Sequence, residues 1–248
     1  MIFSPLEQFE IVPLFGIGTF SLTNSSLFMI LAVFFLVTFF YLSFLPSQNG
    51  MLVPNAWQQV AEGLFSFVEG MVNETLSGKG SVFIPFVFTI FTFILSCNML
   101  GLIPYSFTVT SHIAVTLALT VIIWVGKLII GIRIHGIKLL GIFLPGGTPF
   151  ALVPFLIVLE MLTFVITIIS LSVRLFANLM AGHILLKVFA GFAWTIMIAG
   201  GALWVLHFVP LIILFCLVGL ETGVALVQAY VFSLLTCMYF NDMIEGGH

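Results

Sequence analysis

The sequence predicts an all-α, polytopic membrane protein, and three observations predict it. Of 248 residues, 62% are hydrophobic and only 6% charged, and the mean hydropathy is +1.33. Soluble domains carry roughly 25% charged residues, so a chain this poor in charge finds its solvent in lipid. Its uncharged runs approach the roughly 20 residues that span a hydrocarbon core as a helix. We expect one integral membrane domain over residues 1–248, with about five membrane-crossing helices and one interfacial amphipathic helix. The last two crossings are expected to be long, tilted and paired as a hairpin.

Residues 27–45 are a nineteen-residue run without a charge and form the first span. Residues 54–76 change pattern: Asn55, Gln58, Glu62, Ser66, Glu69 and Asn73 recur every three or four positions opposite Trp57, Val60, Leu64, Phe67 and Met71. That 3.6-residue period predicts a helix lying along the membrane surface. Residues 82–132 form a helical hairpin, Val82 to Pro104 and Ile113 to Ile132, turning at "PYSFTVTSH". After the loop "RIHGIKLLGIFLPGGTP", residues 149–242 are almost continuously apolar. Such a stretch is too long for two perpendicular spans, so either three helices or two long, strongly tilted ones share it.

The net charge is -3, and the six basic residues, Lys79, Lys127, Arg133, Lys138, Arg174 and Lys187, are scattered. No basic patch exists to hold phosphate, which excludes nucleic acid as a partner. Cys97, Cys216 and Cys237 lie in apolar segments without metal-knuckle or redox spacing. They read as buried structural thiols, and neither cofactor nor metal is expected. Lys79, Arg133 and Lys138 flank the 82–132 hairpin, placing both flanking loops on the inner side and the N terminus outside; Lys187 opposes this bias. The first 26 residues contain no Lys or Arg, so neither a secretory signal nor an Arg-rich transit peptide is expected.

Ionisable groups inside a membrane are candidates for function, because one at mid-bilayer costs about 2.5–3.5 kcal/mol on insertion scales. At about 100° per residue, Glu160, Thr163, Thr167, Ser170, Arg174 and Asn178 fall within roughly 40° of Arg174. Threonines and serines alone would read as a packing seam. A stripe that opens with a carboxylate and carries an arginine about 21 Å further along the axis reads as the wall of a hydrated path.

The second half of the long stretch adds Glu221, Gln228 and Asp242, within roughly 60° of one another. If the halves fold back on each other at "AGGA", residues 199–202, facing residues have nearly constant number sums. Arg174 with Gln228, Glu160 with Asp242 and His183 with Glu221 all sum to about 402–404. A carboxylate pair then lies near one surface, a His and Glu pair nearer the other, and Arg174 between them. Carboxylates and imidazole relay protons, whereas guanidinium keeps its proton and offers no acceptor. Arg174 is therefore a barrier between two proton half-paths. His183 lies about 180° from Arg174 on a straight helix, so its contact with Glu221 needs either a bridging water or a curved helix. His112 and His135, placed in loops, the terminal His248, and His207 at an apolar helix start carry no direct role. Lys127 is expected to snorkel to the surface.

At "SLSVRLFANLMAGH", supported by "GLIPYSF", "PGGTP", "LVPFLIVLE" and "LETGVALVQAYVF", the chain resembles subunit a of the rotary F-type ATP synthase over nearly its whole length. The resemblance implies a non-catalytic stator subunit offering two offset proton half-channels to the c-ring of proteolipid subunits. Arg174 matches the arginine that meets the c-ring carboxylate, and Asn178 and Gln228 line the same contact. Glu160 and Asp242 belong to the matrix half-channel, and His183 and Glu221 to the intermembrane-space half-channel. A protonated ring carboxylate enters lipid neutral and rotates to the other path, each proton contributing about 2.3 kcal/mol per 100 mV. The placement of His183 and Glu221 resembles mitochondrial members, and "SPLEQFEI" resembles fungal ones, whose leader is removed before the matching serine. The resemblance further implies the mitochondrial inner membrane, with the N terminus toward the intermembrane space and the C terminus toward the matrix. The peripheral stalk and small membrane subunits are the other implied partners.

Two other classes compete with this reading. A self-contained proton-coupled secondary transporter would carry an inverted repeat with interrupted helices, and no matching pair of motifs is present. A structural scaffold would leave the three level polar pairs unexplained.

Overall fold

The computed structural model describes residues 9–17, 20–44, 54–78, 80–103, 106–136, 152–199 and 203–245. Among them are seven α-helices: α1 (Asn24–Phe44), α2 (Ala56–Thr75), α3 (Ile84–Gly101), α4 (Ile113–His135), α5 (Val153–Ala199), the single turn α6 (Leu203–Leu206) and α7 (Phe208–Glu245). Helices dominate because lipid supplies no partner for backbone N–H and C=O groups, which must be satisfied within the segment. Five stretches are long and apolar enough to cross a membrane: α1, α3, α4, Val165–Ala199 of α5 and Phe208–Ile244 of α7. Two long helices, rather than three ordinary ones, share the final apolar stretch. Of the expected "AGGA" turn, residues 200–202 lie outside the described residues, as do residues 137–149, Lys79 and His248.

The chain divides into two compact units. The first comprises residues 1–36, 93–112 and 175–229. It contains an element the sequence reading did not predict, an antiparallel hairpin of β1 (Pro13–Ile17) and β2 (Phe20–Thr23). Its register slips between Pro13 and Phe15, beside a residue with no N–H to give the ladder. Asn24 ties the hairpin to α1: its side-chain oxygen accepts from Ser25 N at 2.9 Å and Val12 N at 3.3 Å, and its amide donates to Glu10 O at 3.0 Å. In this unit the halves of α5 and α7 run antiparallel, with Leu175, Leu179, Ala225 and Ala229 buried.

The second unit comprises residues 37–92, 113–174 and 230–248. In it α2 starts at Asn55, whose side chain accepts from Ala56 N at 2.8 Å, meeting an N–H that the helix cannot satisfy. The helix buries Gln58, Ala61, Val68, Met71 and Val72 and leaves Trp57, Val60 and Phe67 exposed. Aromatic contacts knit the unit: Phe40 and Phe65 each lie 5.5 Å from Phe88, Phe67 lies 5.8 Å from Phe91, and Phe83 lies 5.3 Å from Phe240. Between membrane helices such packing replaces the hydrophobic drive that lipid removes. A buried hydroxyl pair, Thr116 Oγ1 and Ser172 Oγ at 3.0 Å, joins α4 to α5.

Two details correct the sequence reading, and a third adds to it. His135 ends α4 rather than lying in a loop, and its Nε2 meets Met243 O at 2.9 Å. Cys216 is exposed, whereas Cys97 and Cys237 are buried; an apolar thiol needs no burial where the surrounding medium is lipid. Lys127 holds its ammonium 5.2 Å from the Tyr239 ring centroid, a cation–π contact.

Candidate functional site

His183 and Glu221 are brought together directly within the first unit. Imidazole Nε2 lies 3.5 Å from Glu221 Oε1, with the two side chains only 14% and 4% exposed. The distance is that of an ion pair, and no hydrogen bond joins the two groups. Both Glu221 oxygens are therefore buried without a hydrogen-bond partner among the described residues. Glu221 can approach α5 so closely because residue 182 is glycine: a Cβ there would lie 2.8 Å from Glu221 Oε1 and 3.1 Å from its Cδ.

The same imidazole nitrogen lies 2.8 Å from Thr108 Oγ1, a contact the sequence reading missed. Thr108 belongs to the connection between α3 and α4, a segment read only as a turn. Phe107, Thr108, Val109, Thr110 and Ser111 are all buried. A 3₁₀ turn, Val109–Ser111, shapes it. Its hydroxyls answer the carbonyls that the end of α3 leaves unpaired: Ser106 Oγ donates to Leu100 O at 2.6 Å, and Thr108 Oγ1 reaches Gly101 O at 3.4 Å. Asn98 accepts from Thr110 Oγ1 at 3.0 Å and donates to Ala225 O at 3.2 Å. The available signal was four hydroxyls in six residues, Ser106 to Ser111, inside an otherwise apolar chain.

One and a half turns before His183 on α5, Asn178 donates to Gln228 Oε1 at 3.0 Å. Gln228 is buried, and its amide nitrogen has no partner among the described residues. The face carrying Asn178 and the face carrying His183 both meet α7, at successive depths.

In the second unit Arg174 is exposed on α5. Among the described residues it has neither a hydrogen-bond nor an ion-pair partner. Asp242 is exposed near the end of α7. Glu160 sits on α5, and its side chain lies outside the described residues. The stripe residues Thr163 and Thr167 line a cavity of about 80 Å³, bounded also by Thr120, Trp124, Lys127 and Tyr239. A space of that size is large enough to admit water beside its hydroxyls.

The family model for the ATP synthase A chain matches residues 26–241. The chain belongs to the ATP synthase subunit a family. It is 50% identical over 249 residues to ATP synthase subunit a of Chondrus crispus, covering 99% of this chain and 97% of that relative. The subunit a of Marchantia polymorpha is 47% identical, covering 98% of both chains. That of Brassica napus is also 47% identical, covering 98% of this chain and 96% of the relative. These relatives are a red alga and land plants. Family membership makes the chain a proton-channel stator subunit of the ATP synthase membrane sector.

Proposed function

We propose that the chain provides two proton half-paths, separated by Arg174, to a rotating ring of c-subunits in the mitochondrial inner membrane. The outer half-path runs through His183 and Glu221 from the intermembrane space. The inner one leads past Glu160 and Asp242 to the matrix, with the cavity beside Thr163 and Thr167 supplying water. The N terminus faces the intermembrane space, and the peripheral stalk and small membrane subunits hold the chain still while the ring turns. The long helices α5 and α7 are accommodated by tilt, since 47 residues of α5 extend about 70 Å against a core of about 30 Å.

The observation that carries this reading is Arg174, exposed inside a membrane-spanning stretch without a hydrogen-bond or ion-pair partner among the described residues. A permanent cation on the flank of an apolar helix is tolerated only against water or an external anion. An ionised carboxylate on a passing c-subunit supplies that anion once per subunit step. The transporter alternative calls for interrupted helices, whereas α5 runs unbroken for 47 residues. A map of the assembled membrane sector tests the proposal. A ring-borne carboxylate facing Arg174 is expected, and an Arg174 turned to lipid or to another stator subunit would overturn it.

A further inference from the structure

We infer that Thr108 is a positioning residue of the outer half-path, a hydroxyl rotor that keeps His183 Nε2 hydrogen-bonded whether or not that nitrogen carries a proton. The inference rests on the proposed outer path through His183 and Glu221.

Its basis is the geometry at one nitrogen. Nε2 is 2.8 Å from Thr108 Oγ1 and 3.5 Å from Glu221 Oε1, so a single atom faces both groups. A hydroxyl is at once one donor and an acceptor. When Nε2 bears hydrogen, it donates to Thr108 Oγ1, and the hydroxyl proton points to Gly101 O at 3.4 Å. When Nε2 is bare, the hydroxyl turns and donates to it. For transfer the Nε2–H swings from Thr108 Oγ1 to Glu221 Oε1, and the proton passes from doubly protonated His183 to ionised Glu221. The Nε2–H bond breaks, an Oε1–H bond forms, both groups become neutral, and the Thr108 hydroxyl then turns to the bare Nε2.

Two glycines permit the arrangement. A Cβ at residue 101 would lie 2.8 Å from Thr108 Cγ2 and 3.0 Å from its Oγ1, and a Cβ at residue 182 would lie 2.8 Å from Glu221 Oε1. Each close approach delivers one oxygen to the same imidazole. Thr108 is 4% exposed, so water does not readily substitute for its hydroxyl. The charged and titratable groups about His183 are Glu221 on α7 and Lys187 on α5.

The test uses membrane vesicles holding the whole complex, with ATP synthesis driven by an imposed pH gradient and normalised to assembled complex. Thr108→Val keeps the shape and removes the hydroxyl; Thr108→Ser keeps the hydroxyl and removes the methyl. A rotor predicts about tenfold slower synthesis for Thr108→Val, the loss of roughly one hydrogen bond, and near-normal rates for Thr108→Ser. A packing role predicts the opposite order, and that order would overturn the inference. If Thr108→Val does not assemble, Thr108→Ser against Thr108→Ala isolates the hydroxyl; equal rates there would also overturn it. Glu221→Gln serves as the control. Slow synthesis in Glu221→Gln with normal Thr108→Val rejects the rotor alone, whereas normal synthesis in Glu221→Gln rejects the outer path on which it rests.

Discussion

Adding one methyl group at Gly182 puts the geometry of the outer path to a demanding test. In Gly182→Ala the new Cβ would meet Glu221 Oε1 at 2.8 Å, Cδ at 3.1 Å and Cγ at 3.3 Å. An ordinary contact needs about 3.4 Å or more, so the carboxyl must retreat by roughly 0.6 Å. Glu221 is 4% exposed, so the displaced carboxyl presses on its other neighbours, and either α7 shifts or the side chain takes a poorer rotamer. Overpacking of this kind costs about 1–3 kcal/mol. Since about 1.4 kcal/mol is a factor of ten, the expected result is proton-driven ATP synthesis slower by about fivefold to a hundredfold. Native gels should still show assembled complex, because the methyl disturbs the Glu221 carboxyl rather than a stator contact. ATP hydrolysis by the detached catalytic sector should be unchanged. Assembled Gly182→Ala complex with wild-type synthesis would refute the claim that the carboxyl's position against α5 matters.

Asn178→Leu should lower the thermal stability of the complex by about 1–3 kcal/mol, because buried Gln228 then loses its donor at Oε1; an unchanged inactivation midpoint would count against the pairing. His112, just before α4, is held below its ordinary value of 6.5 by burial. Its ring stacks on Phe107 with centroids 5.0 Å apart. As the opened segment binds the proton more readily than the closed one, closure is fully favoured above about pH 6.5 and weakens as pH falls below it. Amide exchange across residues 106–112, corrected for intrinsic rates, should therefore accelerate as pH falls below about 6.5, and His112→Gln should abolish that acceleration. A pH-independent corrected rate in the native protein would contradict it.

Much of this was legible because lipid imposes blunt rules. Apolar runs marked α1, α3 and α4 to within three residues, and the polar period marked α2. Two long helices emerged where residue number alone allowed two or three, since unbroken helix satisfies the backbone wherever no glycine pair or proline intervenes. The hairpin arithmetic anticipated His183 with Glu221, and their direct contact removes the need for a bridging water. It placed Gln228 level with Arg174, whereas the observed partner of Gln228 is Asn178, one turn along; sums resolve depth only to about a turn. The β1–β2 hairpin escaped because "PLFGIGTFSLT" has no clean alternation and its register slips near Pro13. Thr108 escaped for a different reason: its role comes from a chain crossing 75 residues away in sequence, and no local period encodes that.

The central claim is that Arg174 meets a moving carboxylate and separates the two half-paths, and Arg174→Ala tests it most directly. Vesicles carrying the assembled mutant complex should show no ATP-driven proton pumping and no proton-driven ATP synthesis. Their passive proton conductance, measured with the catalytic sector removed, should equal or exceed that of the native sector, because the barrier has gone while the paths remain. Coupled pumping at the native rate in that mutant would contradict the account.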